Sequence, residues 1–303
     1  MENDNYLKLS NEIIKELIEN EGNVDDNIIG FLLDSNKSTR YTPEFMKIIC
    51  DEKISNVDLI GFTLIHKCVI LTAKYPNLNN ILRNYFNVCS EFRDSINITT
   101  NEGWSALHFA SKYSKTTSTE GTVKLLIDAG ANVNLQDIYG WSAIHFASKY
   151  SKTTSTEGTV KLLIDAGANV NLQDIYGWSA IHFASKYSKT NSTEETVKLL
   201  IDAGANVNLQ DKGGWTALHL ASAYSKNCST EETVKLLISA GANVNLQSNY
   251  GQTALHFASL NSKTNSTEGT VKLLINAGVN VNLQDNKGWS ALHLASRFSK
   301  IRS

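Results

Sequence analysis

A repeat of constant length constrains this 303-residue chain more than any other feature of its sequence. A glycine recurs every 37 residues, and a histidine follows each of these glycines five positions later. The glycines are Gly103, Gly140, Gly177, Gly214, Gly251 and Gly288, and the histidines are His108, His145, His182, His219, His256 and His293. A fixed period between about 20 and 50 residues predicts a stack of supersecondary units that bury a shared core against their neighbours.

The copy that follows Ser155 begins with a predicted helix. Ser155 or Thr156 can accept the free N–H groups at its start, apolar residues follow at helical spacing, and Gly167 is placed to end it. Ser-Thr-Glu-Glu at 192–195 and 229–232 predicts a capping box in two further copies.

The second half of the same copy predicts a turn and another helix. Asp174-Ile-Tyr-Gly177 has the composition of a turn, and a helix is expected to begin near Ser179 and to carry His182. Two short helices cannot bury a core alone, so each unit is expected to depend on its neighbours.

The order Gly-x-Ser/Thr-x-Leu/Ile-His-x-Ala, followed by Val-Lys-Leu-Leu-Ile and Ala-Gly-Ala-Asn-Val-Asn, resembles the ankyrin repeat. Two departures are visible: Ala replaces the usual Pro, as in Ser105-Ala-Leu-His108, and the link between the helices is four residues longer. The resemblance implies an all-α fold, an ankyrin-repeat solenoid of stacked helix-turn-helix units with short hairpin-like turns. The amino-acid sequence of the copies is also similar to that of ankyrin proteins of giant amoebal DNA viruses, with intracellular bacterial effectors and amoebal proteins as alternative sources.

Three regions are predicted along the chain. Residues 1–57 form divergent N-terminal helical units or a cap, 58–100 a degenerate ankyrin repeat, and 101–303 the regular array. Worn helical segments are expected at 13–24, 27–34, 45–57 and 78–92. The last repeat stops after its first helix, so it is interpreted as a weak cap, an interface or a truncation, and a fraying end is expected.

Composition argues against several classes of function. The net charge of −2 comes without a cluster of Lys and Arg, so nucleic acid is not expected as a partner. No apolar run approaches the roughly 18 residues that a membrane span needs, and the start lacks a signal peptide. The four cysteines lack the spacing of metal ligands. These features predict a cytoplasmic protein, located in the host cytoplasm if the chain is viral. No catalytic constellation is found, so we expect no enzyme, no cofactor, no metal, no membrane and no small-molecule substrate.

The candidate binding residues lie at three repeat positions: the tryptophan after the turn glycine, the turn tip before it, and the end of the first helix. In ankyrin proteins these positions line the concave binding surface, so the resemblance implies a partner-binding set of Trp104, Tyr113, Ile138, Tyr139, Trp141, Lys149, Tyr150, Ile175, Tyr176, Trp178, Lys186, Tyr187, Lys212, Trp215, Tyr224, Asn249, Tyr250 and Trp289. Aromatic residues are common at interface hot spots.

Two interpretations of these residues stay open at this point. Either the tryptophans bind a partner, or each packs on the next repeat and serves stacking only. The predicted function is accordingly a non-catalytic scaffold that binds one or more proteins through its concave face. If the chain comes from a virus, host proteins are the expected partners. The alternative is a structural or self-associating product of repeat expansion that has no dedicated partner. The histidines are expected to be structural.

Overall fold

The computed structural model describes residues 2–21, 63–88, 93–262 and 264–299. Over these ranges the chain forms 14 α-helices and no β-strand, which confirms the all-α prediction. The helices are α1 (Glu2–Glu21), α2 (Leu64–Val69), α3 (Leu78–Val88), α4 (Ala106–Lys112), α5 (Glu120–Asp128), α6 (Ala143–Tyr150), α7 (Glu157–Asp165), α8 (Ala180–Tyr187), α9 (Glu194–Asp202), α10 (Ala217–Tyr224), α11 (Glu231–Ser239), α12 (Ala254–Leu260), α13 (Glu268–Asn276) and α14 (Ala291–Ser299). The segments predicted at 27–34 and 45–57, and the end of the one at 78–92, lie outside the described residues.

The chain divides into two compact units. Unit 1 comprises Met1–Ala147 and Thr154–Ala168, and unit 2 comprises Ser148–Thr153 and Asn169–Ser303. In unit 1, α2 packs on α4, while α3, α5 and α7 pack in succession as a second layer and α1 packs on α3. In unit 2, α8, α10, α12 and α14 form one layer and α9, α11 and α13 the other. Each unit is therefore a stack of helix pairs.

The first helix of a repeat begins and ends where the sequence predicts. The helix α8 starts at Ala180, directly after Ser179 in an extended conformation, and runs to Tyr187. Its residues from Ala180 to Ser185 are all buried, because α9 and α10 cover it within unit 2. A helix this short is marginal in isolation, so its stability comes from packing.

The second helix is capped by threonine, and the predicted capping boxes at 192–195 and 229–232 are wrong. Thr193 Oγ1 accepts the N–H of Thr196 at 3.1 Å. Ser192, the residue predicted for this role, is buried and donates instead to the carbonyl of Ser148 at 2.7 Å. Thr156 likewise caps α7, and Ser155 donates to the preceding first helix, so one repeat position serves the cap and the other the contact between repeats.

Two buried serines of unit 2 predict opposite effects of the same substitution. Ser185 Oγ is buried in α8 without a hydrogen-bond partner, whereas Ser192 Oγ bonds to the Ser148 carbonyl. We expect Ser185→Ala to keep or raise the free energy of unfolding, by up to about 1 kcal/mol, and Ser192→Ala to lower it by about 1–2 kcal/mol. Urea unfolding of both variants measures this difference, and equal losses would contradict the assignment of partners.

The N-terminal helix departs from the repeat pattern. The sequence predicts a worn second helix at 13–24, but α1 is a single helix of 20 residues, against nine for α9. No Gly or Pro interrupts residues 2–21, so nothing in this segment stops the helix early. Ile13 and Leu17 of α1 are fully buried, and α1 packs on α3.

Candidate functional site

At five repeat positions the histidine joins the start of its own helix to the next repeat. The N–H of Ser179 donates to His182 Nδ1 at 3.1 Å, and the Ser179 hydroxyl lies 2.9 Å from the same nitrogen. Since Nδ1 accepts, Nε2 carries the proton and donates to the carbonyl of Trp215 at 3.2 Å. The same bonds link His66, His108, His219 and His256 to the carbonyls of Trp104, Trp141, Gln252 and Trp289. The prediction that the histidines are structural is confirmed at these positions.

Burial makes four of these histidines resist protonation. Desolvation lowers the pKa of His66, His108 and His219 to about 4, against the partly opposing effect of the backbone carbonyls that accept their N–H groups. It also lowers the pKa of His182. A second proton would have to be placed on Nδ1, where two donors already point at the ring. These four positions therefore favour the neutral imidazole.

A carboxylate braces four of the turn tips, which we define as the three residues before the turn glycine, and the Ser248 hydroxyl takes this role in the tip before Gly251. Asp211 Oδ1 accepts the N–H groups of Gly213 and Trp215, both at 2.8 Å. The Gly214 N–H donates to the Asp211 carbonyl at 2.9 Å, which closes the turn. The same carboxylate bonds are made by Asp137, Asp174 and Asp285. Sequence reasoning identified the turn but missed this role of the Asp in Asp-x-x-Gly.

Neighbouring tips in unit 2 are joined through their backbones. The N–H of Lys212 donates to the carbonyl of Tyr176 at 3.0 Å. Asn249 Nδ2 donates to the Lys212 carbonyl, and Asn286 Nδ2 donates to the Asn249 carbonyl, both at 2.9 Å. The tips are thus held at fixed positions along the stack, and their side chains are presented on a preformed surface.

The tryptophans are half-buried and packed. The Trp178 ring lies 4.9 Å from the Phe183 ring, its Nε1 donates to Asp211 Oδ2 at 3.0 Å, and Lys186 Nζ lies 5.1 Å from its centroid. Comparable ring contacts pair Trp104 with Phe109 and Phe146, Trp141 with Phe146, and Trp215 with Phe257. The tryptophans therefore contribute to packing within and between repeats, as the stacking interpretation expects.

Lysine and tyrosine alternate at the ends of the first helices. Lys186 Nζ lies 5.1 Å from the ring centroids of both Tyr187 and Tyr224. Lys149 Nζ lies 5.5 Å from the Phe183 ring and 5.6 Å from the Tyr187 ring. Burial lowers the pKa of Lys149, with the Tyr187 hydroxyl opposing. The aromatic rings therefore hold ammonium groups at defined positions.

The predicted binding residues fall into three classes of exposure. Those at the tips are exposed, while the tryptophans and most helix-end residues are half-buried, and one tyrosine is buried. Exposed are Ile138, Tyr139, Ile175, Tyr176, Lys212, Asn249 and Tyr250. Half-buried are Trp104, Trp141, Trp178, Trp215, Trp289, Lys149, Tyr150, Lys186, Tyr187 and Tyr224, and Tyr113 is buried.

Other kinds of site have no support among the described residues. No group of His, Cys, Asp and Glu in the described ranges could hold a metal ion. Cys68 is buried with a pKa raised to about 12 by desolvation, and Cys228 is half-buried, both as free thiols. Over the same ranges, no helix has the length and apolar character needed to cross a membrane.

Comparison with known families gives one match. The family described as "Ankyrin repeats (3 copies)" matches residues 7–174, 151–245 and 222–302. These matches overlap and together cover almost the whole sequence. No curated protein matches the chain at the required significance, so the similarity to viral proteins stays a prediction.

Proposed function

We propose that this chain, which belongs to the ankyrin-repeat family, is a non-catalytic scaffold that binds partner proteins through its turn tips and the neighbouring first-helix ends. Ankyrin repeats are generally protein–protein interaction modules, and the family is typically non-catalytic. The proposal for this chain adds the surface and the side chains that make the contact.

The observation that carries the proposal is the exposure of large apolar side chains at the tips. Tyr176 and Tyr250 of unit 2 are 63% and 67% exposed, and Ile175, which precedes Tyr176 in the sequence, is exposed as well. In unit 1, Ile138 and Tyr139 occupy the equivalent positions and are exposed as well. Exposed apolar groups that recur at one position of a stack favour an interaction surface, and burying a tyrosine or an isoleucine favours binding.

The rigidity of the tips supports the same function. Asp174 Oδ1 accepts the N–H groups of Tyr176 and Trp178, both at 2.8 Å, so the backbone under the exposed tyrosine is fixed before any partner arrives. Binding then costs less ordering entropy than it would for a flexible loop. In this proposal the half-buried tryptophans pack next to the tips, and only the exposed edges of their rings contact a partner.

A matched pair of triple variants tests the proposal. The tip variant carries Ile175→Ser, Tyr176→Ser and Tyr250→Ser, and the control carries Ile275→Ser, Val281→Ser and Leu292→Ser, which are also exposed apolar residues of unit 2. We expect a protein captured from a lysate, then purified, to bind the tip variant at least about tenfold more weakly than the wild type or the control. Circular dichroism checks that all three chains are folded.

Two results would contradict the proposal. Equal affinity of the tip variant and the wild type would show that the partner binds elsewhere. Capture of copies of the chain itself, with sedimentation that shows oligomers, would favour the self-associating alternative. An amoebal lysate is the suitable source, because the amino-acid sequence of the repeats is similar to that of ankyrin proteins of amoebal viruses. We propose on this basis that the partner is a protein of the host.

A further inference from the structure

Charge is segregated within each repeat. From the cap of the first helix to the cap of the second, no copy contains Asp or Glu, and each contains Lys or Arg. The segments are 105–119, 142–156, 179–193, 216–230, 253–267 and 290–303. The second helices, in contrast, carry acidic residues in every copy, as in α9 with Glu194, Glu195 and Asp202. The net charge of −2 therefore conceals a basic face and an acidic face.

In unit 2 the basic side chains form a row, which we call the lysine row: Lys149, Lys152, Lys186, Lys189 and Lys226. Lys152, Lys189 and Lys226 are exposed, and the other two are half-buried. Neighbouring links are tied together by the lysines themselves, since Lys152 Nζ donates to the Lys189 carbonyl at 2.8 Å and Lys189 Nζ donates to the Lys226 carbonyl at 2.6 Å. The ammonium groups of Lys152 and Lys189 are therefore held at defined positions along the stack.

In the other layer of unit 2, a lysine has a carboxylate beside it. Lys235 Nζ lies 3.5 Å from Glu232 on α11, one helical turn away. Lys186 Nζ contacts aromatic rings and Lys189 Nζ donates to a carbonyl, and no carboxylate of the described residues lies within ion-pair distance of Lys186, Lys189 or Lys226. The lysine row thus keeps an excess of positive charge that an external anion can neutralise.

We propose that the lysine row, as part of the binding surface proposed above, binds an extended acidic segment of the partner protein. Packed helices lie about 8–10 Å apart, so the row presents cations at about that interval. An extended segment in the polyproline II conformation has three residues per turn and advances about 3.1 Å per residue, which places every third side chain on one face at intervals of about 9 Å. Asp or Glu at every third position of the partner matches the row, and the interleaved Tyr187 and Tyr224 supply apolar surface to its other side chains.

Nucleic acid fits the row less well. One strand carries a phosphate about every 3.4 Å of helix axis, which is about three negative charges per repeat of the stack. The row supplies one or two cations per repeat, and the acidic second helices and tip aspartates would repel a polyanion of that density. A segment with sparse, regular carboxylates is the better complement.

The test uses the full chain and a fluorescent 13-residue peptide with Glu at every third position and Ser elsewhere. The row variant carries Lys186→Gln, Lys189→Gln and Lys226→Gln, and the control variant carries Lys198→Gln, Lys235→Gln and Lys272→Gln on the second helices, which removes the same charge. We expect saturable binding to the wild type and the control that weakens with salt, and at least about tenfold weaker binding to the row variant. A peptide with the same residues but its Glu clustered at one end should bind more weakly.

Three results would overturn the proposal: no binding of the spaced peptide, equal binding by both variants, or tighter binding of a single-stranded oligonucleotide that depends on the same lysines. Its failure is separable from that of the proposed function. If the captured partner still requires Tyr176 and Tyr250 but not the lysine row, the scaffold function stands and the acidic-segment inference fails. If neither matters, both fail.

Discussion

Acidification from about pH 7.5 to pH 5 is expected to lower the free energy of unfolding by about 2 kcal/mol for each of His66, His108 and His219. The folded pKa of each is about 4, below the ordinary value of 6.5 that the unfolded chain has. At pH 5 the unfolded chain therefore binds more protons than the folded chain, and protonation favours unfolding. The stabilisation is complete above pH 6.5 and is lost as the pH falls toward 4.

Taken together, the losses at the three histidines are comparable to the lower end of the whole stability of an ordinary domain, which is about 5–15 kcal/mol. Urea unfolding at several pH values between 7.5 and 5 measures the combined loss, with proton uptake on unfolding as an independent reading of the same quantity. Tryptophan fluorescence follows the unfolding of both units, since Trp104 and Trp141 lie in unit 1 and Trp178, Trp215 and Trp289 in unit 2. An unfolding free energy that is unchanged at pH 5 would contradict neutral, buried imidazoles.

Gly214→Ala is expected to destabilise unit 2 by about 3–5 kcal/mol, well beyond the cost of its backbone conformation. Gly214 has a φ of +77°, and a Cβ there would lie 2.6 Å from the Asn249 nitrogen and 3.0 Å from the Ser248 carbonyl carbon. Both atoms belong to the backbone of the next tip, so neither can move away without breaking the bonds between the tips.

Gly204→Ala is the matched control. Gly204 has a φ of +83°, and a Cβ there would meet no atom within 4 Å. This variant has only the cost of a left-handed residue, about 1–2 kcal/mol. Thermal and urea unfolding of the two variants compare the costs directly, and an equal loss for both would show that the tips do not approach as closely as described.

The sequence predicts closely where the helices of one repeat begin and end, because the same local signals recur at a fixed period. The start of α8 after Ser179 and the end of α7 before Gly167 both follow the pattern, and Gly167 has the φ of +84° that a helix stop of this kind requires. Local signals suffice for these features. They involve only residues within one turn of each other.

What the sequence did not predict depends on contacts between repeats. Ser192 and Thr193 are equally good caps by local pattern. Thr193 caps the helix because the Ser192 hydroxyl donates to the Ser148 carbonyl instead. The environment of Trp178 is likewise decided by Phe183 and by Asp211 of the next tip. Sequence reasoning identified only Lys149 and Lys186 of the lysine row, because equivalent lysines of neighbouring repeats are 37 residues apart in sequence and align only after stacking.

The central claim is that the partner binds the turn tips and the first-helix ends, and footprinting of the chain with its purified partner tests it most directly. Hydrogen–deuterium exchange with and without the partner should slow in peptides that cover 173–178 and 247–252, and leave α9 and α11 unchanged. Protection confined to the second helices, with the tips unaffected, would contradict the account.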